Sequence, residues 1–221
     1  MTIVSIENCC SLERPLNYST KHNMTTNPQT TVKVRLAQFP DDKDTISSLF
    51  LAYEQHLLDT ASVKLDFQNF SDELANLPGK YAVENNGALW LAYTSTPSAQ
   101  NTPAENAPAE NAPAENAPAK ETPIGCMGLR VFTPLQAELK RLYLLPSARG
   151  RGASRMLMDV SIARARELGY KEVLLDTLGS MTAARKLYEK YGFREIEAYY
   201  DSHPEAVFYQ LDLTQVEEKD T

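Results

Sequence analysis

Arg149-Gly150-Arg151-Gly152 follows an apolar, β-prone run that ends at Leu145, and a long amphipathic pattern opens at Ala153. A strand that passes through a glycine-rich turn into a helix start is suited to anions. The first N–H groups of a helix have no internal partner, and the macrodipole adds partial positive charge there. Glycines let a phosphate approach the backbone. Arg149 and Arg151 add full charges and bidentate donors. A diphosphate is the guest that fits this turn; a solvated turn needing glycine only for its geometry is the alternative. The stretch is not a Walker A loop, because no Gly-Lys-Ser/Thr follows, and it lacks the three spaced glycines of a dinucleotide fingerprint. Glu138, Asp176 and Tyr188 are titratable side chains on elements either side of this turn. From the residues alone, Tyr188 falls on the apolar face of its helix and reads as core. The two carboxylates read equally well as ion-pair partners of Lys140 or Arg141.

These residues need a frame. Residues 32–37 alternate apolar and polar with period two and read as a first strand. Pro40-Asp-Asp starts a helix in which Ile46, Leu49, Phe50, Tyr53, Leu57 and Leu58 recur at helical spacing. A second helix is expected from Asp66 or Phe67 to Leu77, ended by Pro78-Gly79, with Tyr81 in the loop beyond either as a packing residue or as part of a substrate wall. Residues 88–93, 124–132 and 137–145 read as strands. A helix follows the Gly-rich turn as far as Gly169, then a buried strand over 171–177, a helix over 182–190, and closing strands over 194–200 and 206–213. The order β-α-α-β-β-β-α-β-α-β-β is α+β with a single mixed sheet.

The 221 residues carry a net charge of −7 and 43% hydrophobic residues. That is enough for one core, and it argues against a nucleic-acid-binding face. Residues 140–166 are basic by contrast. No apolar run approaches the length of a membrane helix, and the opening residues lack the basic and apolar regions of a signal peptide. Cys9, Cys10 and Cys126 form no CxxC or Cys/His cluster, so reduced thiols in a cytoplasm and no metal are expected. Residues 1–30 read as a loose leader, 31–214 as the domain and 215–221 as an acidic tail. Between the strands at 88–93 and 124–132, Thr102-Pro-Ala-Glu-Asn opens a period-five repeat without a large apolar side chain. Residues 95–122 therefore read as a looped-out insert, flanked by two strands of one hairpin.

Taken together, Leu142-Tyr-Leu-x-Pro-x-x-Arg149-Gly-Arg-Gly-Ala-Ser154, Leu175-Asp-Thr and Ala184-x-x-Leu-Tyr-Glu-Lys-Tyr-Gly-Phe193 resemble the GNAT superfamily of acetyl-CoA-dependent N-acetyltransferases. Residues 138–143 and 199–204 resemble a bacterial subgroup whose substrates are poorly defined. The resemblance implies a largely antiparallel sheet with splayed central strands. Acetyl-CoA would lie along Leu142, Tyr143 and Leu144. Its diphosphate would sit on Arg149, Gly150, Arg151, Gly152, Ala153, Ser154 and Arg155, and Ala184 would flank the arm. Ser154 stands where the family has glycine or alanine, and Met181 where it often has asparagine. The implied reaction is direct attack of a primary amine of a small molecule or peptide, through a tetrahedral intermediate. Tyr188 would serve as the acid, with Asp176 or Glu138 as the base. The acceptor wall would come from the first two helices, the 78–81 loop and the 199–204 loop. A homodimer is common among relatives. A non-catalytic acyl-CoA sensor or an interaction module would keep the turn without needing Tyr188.

Overall fold

A computed structural model describes residues 31–65, 69–96 and 120–215. The leader, the middle of the insert and the acidic tail lie outside them. The described chain forms β1 (Thr31–Leu36), α1 (Lys43–Ala61), α2 (Phe70–Ala75), β2 (Ala88–Thr96), β3 (Lys120–Thr133), β4 (Gln136–Leu144), α3 (Ala153–Glu167), β5 (Glu172–Leu178), α4 (Thr182–Lys190), β6 (Arg194–Ile196) and β7 (Ala206–Asp212). The strands make one seven-stranded sheet in the order β1-β2-β3-β4-β5-β7-β6. Only β4 and β5 run parallel; every other pair is antiparallel.

Strand alternation sorts the core into two layers. Trp90 and Ala92 of β2, with Met127 and Leu129 of β3, face α3 and α4. Leu89, Leu91 and Cys126 face α1 and α2. The apolar stripe of α1 supplies Ile46, Phe50 and Leu57 to that second layer. Among the described residues no helix is long and apolar enough to cross a membrane.

Three expectations are corrected here. β2 and β3 stay paired up to Thr96 opposite Lys120, so residues at both edges of the expected 95–122 insert belong to the hairpin. Backbone pairing needs no apolar side chain, which is why composition placed the boundary too early. α2 is a short helix over Phe70–Ala75, closed by a left-handed Asn69 before it and by Asn76 after it; the expected start at Asp66 or Phe67 lies outside the described residues. Residues 194–200 form only the three-residue β6; beyond it the chain leaves the sheet, and Tyr199 and Tyr200 pack edge-on against each other and against Phe208.

Candidate active site

β4 and β5 pair only from Gln136 to Glu138, opposite Glu172 to Leu174. Beyond that point β4 stays with β3 and β5 stays with β7, so the two strands part. A cavity of about 630 Å³ opens there. Its walls are β4 from Leu139 to Leu144, β5 from Asp176 to Leu178, the turn before α3, one side of α4, and α1.

The turn sits at one end. Gly150 and Gly152 have φ of 77° and 81°, and a Cβ on either would meet nothing within 4 Å. Glycine is required there for the left-handed backbone rather than for space. The N–H of Arg149 bonds Pro146 O at 3.3 Å, and those of Arg155 and Met156 bond Gly152 O at 3.1 and 3.2 Å. Between them, among the described residues, the backbone N–H groups of Gly150, Arg151, Gly152, Ala153 and Ser154 have no acceptor. α3 has no side-chain N-cap, so its first turn offers bare donors. The stretch of unbonded amides is thus narrower than residues 149–155. Arg149, Gly150, Ser154 and Arg155 line the cavity, whereas Arg151, Gly152 and Ala153 do not; Ala153 is fully buried in the core. The Arg149 side chain reaches back, donating to Leu144 O at 3.4 Å and meeting His56 Nε2 of α1 at 3.2 Å. Burial and the Arg149 charge lower the His56 pKa, which keeps its ring neutral at pH 7.

Leu142, Tyr143, Leu144, Met181 and Ala184 all line the cavity. Met181 accepts a weak bond from the Thr177 hydroxyl at 3.5 Å through its sulfur. Tyr188 lines the cavity from α4, 6% exposed, between Phe193 and Tyr209. Its hydroxyl makes no hydrogen bond among the described residues. Burial, helped by Tyr53 and Asp176, pushes its phenol well above 10. Asp176 also lines the cavity, and its Oδ1 accepts from Lys140 Nζ at 2.6 Å.

Glu138 is elsewhere. It is fully buried and outside the cavity lining. Arg130 Nε donates to it at 2.6 Å, the Tyr199 hydroxyl at 3.0 Å, and Lys140 Nζ lies 3.3 Å away. A carboxylate with its oxygens so occupied has no face left for a substrate proton. The structure thus separates the two carboxylates that the sequence left equivalent.

The acceptor end also differs from expectation. α1 contributes Tyr53, His56, Leu57 and Thr60, and the loop after β6 contributes Ser202 and His203. α2 and the 78–81 loop are absent from the lining; Tyr81 is 1% exposed beneath the sheet. Lys186 and Lys190 line the cavity and were not singled out from sequence; Lys140, named there only as an ion-pair partner, lines it too. Tyr53, already in the α1 stripe, stands in the wall with its phenol pushed by burial up to about 12, so it stays protonated there.

These features fit acetyl-CoA: bare amides for a diphosphate, cations around them, and an unpaired strand edge for the arm. Residues 79–193 match the family model described as Acetyltransferase (GNAT) family. An uncharacterised N-acetyltransferase from Schizosaccharomyces pombe is 28% identical over 83% of this chain and 96% of its own. Another from Dictyostelium discoideum is 26% identical over 76% of this chain and 92% of its own. Among solved structures, a GNAT-family acetyltransferase from Staphylococcus aureus has the same fold, with TM-score 0.60 and 18% identity over 83% of this chain and 99% of that one. A Salmonella typhimurium structure described as an acetyltransferase with its cofactor acetyl-CoA gives TM-score 0.56 and 17% identity over 86% and 98%. The match spans more than half the chain and includes the turn, the parted strands and the tyrosine helix, so the chain belongs to the acetyltransferase (GNAT) family and is an acetyl-CoA-dependent acyltransferase.

Proposed function

We propose that the chain acetylates a primary amine of a small molecule or peptide by direct transfer, at the inner end of the cleft between Leu144, Asp176 and Tyr188. The observation that carries this reading is the unpaired stretch of β4 beyond Glu138, with bare amides at one end and a buried tyrosine at the other. Acetyl-CoA supplies the acetyl group as an activated thioester. The amides of Gly150 and Ser154, with the Arg149 and Arg155 side chains, hold the diphosphate. The β5-facing backbone of Leu142, Tyr143 and Leu144 pairs with the amides of the arm as an added strand would. An N–H near Leu144 donates to the thioester oxygen as charge builds on it.

Tyr188 donates a hydrogen bond to the departing sulfur. A CoA thiol resembles a cysteine thiol near pKa 8.5, and the buried phenol lies above 10. Complete proton transfer is therefore uphill, and stabilisation by a retained proton is the role that fits. Asp176 is the carboxylate that faces the acceptor; it draws the ammonium form and offers a first site for its proton. Among the described residues Asp176 is the one carboxylate in the lining, against Lys140, Arg149, Arg155, Lys186 and Lys190; Arg141 also touches the cavity, but its guanidinium is turned away and paired with Glu73. This basic pocket in an acidic chain suits the anionic cofactor, and it disfavours polycationic acceptors.

An amine panel assayed for free-CoA release tests the reading. Amine-dependent release is expected, with monoamines ahead of polyamines. Release at the same rate without amine, or none with any amine, would refute transfer to a primary amine.

A further inference from the structure

The cleft opens where β4 bends, and one residue marks the bend. Arg141 has φ of 60°, a left-handed conformation that residues with a Cβ rarely adopt. It lies where β4 advances from Lys140 to Tyr143 while β3 retreats only from Gly128 to Cys126. The extra residue breaks the two-residue alternation. Ala137 and Leu139 face the α3 layer, and so do Leu142 and Leu144.

The Arg141 side chain is then driven to the α2 side, 2% exposed. Among its partners is Glu73 of α2, whose carboxylate is 3% exposed. Arg141 Nε lies 3.0 Å from Glu73 Oε1 and Nη2 lies 2.7 Å from Oε2, a bidentate pair. Glu73 also accepts from the Tyr81 hydroxyl at 2.7 Å and from Lys80 Nζ at 2.9 Å. The Arg141 guanidinium sits 5.1 Å from the Phe70 ring centre. The Tyr81 ring is itself seated against Gly128, where an added Cβ would come within 2.7 Å of it. Burial alone would raise the Glu73 pKa, yet Arg141 and Lys80 hold it at about 2, so the carboxylate is charged at every working pH.

We propose that Glu73 is a positioning residue for the cofactor: by pairing with Arg141 it holds the β4 bulge and keeps the cleft open to acetyl-CoA. Arg141 lines the cavity and Glu73 does not, so Glu73 acts through Arg141. Without Glu73, the guanidinium would be buried beside an incomplete set of counter-charges, and the bidentate pair would no longer offset its unfavourable backbone. One movement relieves both: β4 regularises, Arg141 turns out of the α2 layer, and pairing with β5 extends past Glu138. That closes the cleft, and acetyl-CoA then binds only the open fraction of molecules, which weakens its apparent affinity in proportion. The inference rests on the placement of acetyl-CoA between β4 and β5 argued above.

Calorimetry of the full chain with acetyl-CoA tests it without any acceptor. Glu73→Gln is expected to raise the dissociation constant about tenfold. Adding Arg141→Gly to that variant is expected to bring the constant back to within about threefold of wild type, because glycine adopts the left-handed conformation freely and carries no charge. If Glu73→Gln does not fold, Tyr81→Phe removes one bond to the same carboxylate and is expected to raise the constant about twofold. A merely structural Glu73 would lower the melting temperature and leave the acetyl-CoA constant unchanged well below melting; that result, in either folded variant, overturns the proposal. So does a double variant that binds no better than Glu73→Gln. Wild-type chain that bound no acetyl-CoA would instead sink the cofactor's placement, and this inference with it.

Discussion

At the α3 end of the cleft, five consecutive residues from Gly150 to Ser154 supply donors from their own backbone, in a turn fixed by two left-handed glycines. At the inner end, Lys140 comes from β4, Asp176 from β5 and Tyr188 from α4, and Lys140 also donates to Tyr200 of the segment after β6, outside the lining. The first region is written by local backbone chemistry. The second exists only once segments 36 and 60 residues apart have been brought together. The donors of the first cannot be removed by changing one side chain, whereas each side chain of the second has a distinct loss. Substitutions should therefore separate the two ends.

The largest expected effect is at the inner end. Tyr188→Phe should lower kcat about a hundredfold while the dissociation constant for acetyl-CoA, read by calorimetry, stays within about twofold. The sign of its pH dependence follows from the raised phenol. The donor form persists past pH 10, so wild-type kcat should show no alkaline fall below pH 10 that disappears in Tyr188→Phe.

The two carboxylates sharpen the contrast within that end. Asp176→Asn should lower kcat about tenfold and cost about 2 kcal/mol of stability, because Lys140 loses its 2.6 Å partner. Glu138→Gln should do the reverse. It should cost about 3 kcal/mol in denaturant unfolding, with kcat and acetyl-CoA affinity within about twofold at temperatures well below melting. If Glu138→Gln abolished turnover in folded protein, the base would have to be reassigned.

The α3 end should respond more mildly. Arg149→Ala should weaken acetyl-CoA binding about fivefold in calorimetry, and the gap from wild type should narrow with added salt. A loss as large as that of a catalytic group would mean that the arginine, not the amides, carries the anion. The smallest effect is expected outside both regions. Thr96 lies directly opposite Lys120, so replacing residues 97–119 with a two-residue turn should leave acetyl-CoA affinity within about twofold.

Much of the frame was legible because it depends on period. The alternation of Val32 and Val34, the stripe of Ile46, Phe50 and Leu57, and Gly169 past the end of α3 each announce an element through local sterics and burial. That β4 and β5 splay was expected from the family resemblance alone; that they pair over only three residues was not legible in the sequence. The bulge at Arg141 has no sequence signature, because arginine is a residue that local propensity would never place at positive φ. The acceptor wall was half legible. The stripe of α1 named Tyr53 and Leu57, and the 199–204 loop was named too. The 78–81 loop was named wrongly, since an aromatic after a helix looks alike whether it faces a ligand or a core.

By itself the sequence determined the order of elements, the glycine-rich turn and the tyrosine helix, because hydrophobic period and glycine conformations act over a few residues. Tertiary structure alone decided which carboxylate faces the cleft, which cation neutralises it, and how a buried Glu73–Arg141 pair accompanies the bend in β4. Charge pairs are chosen by distance in space, and a buried charge takes whatever partner the packed strands bring within reach.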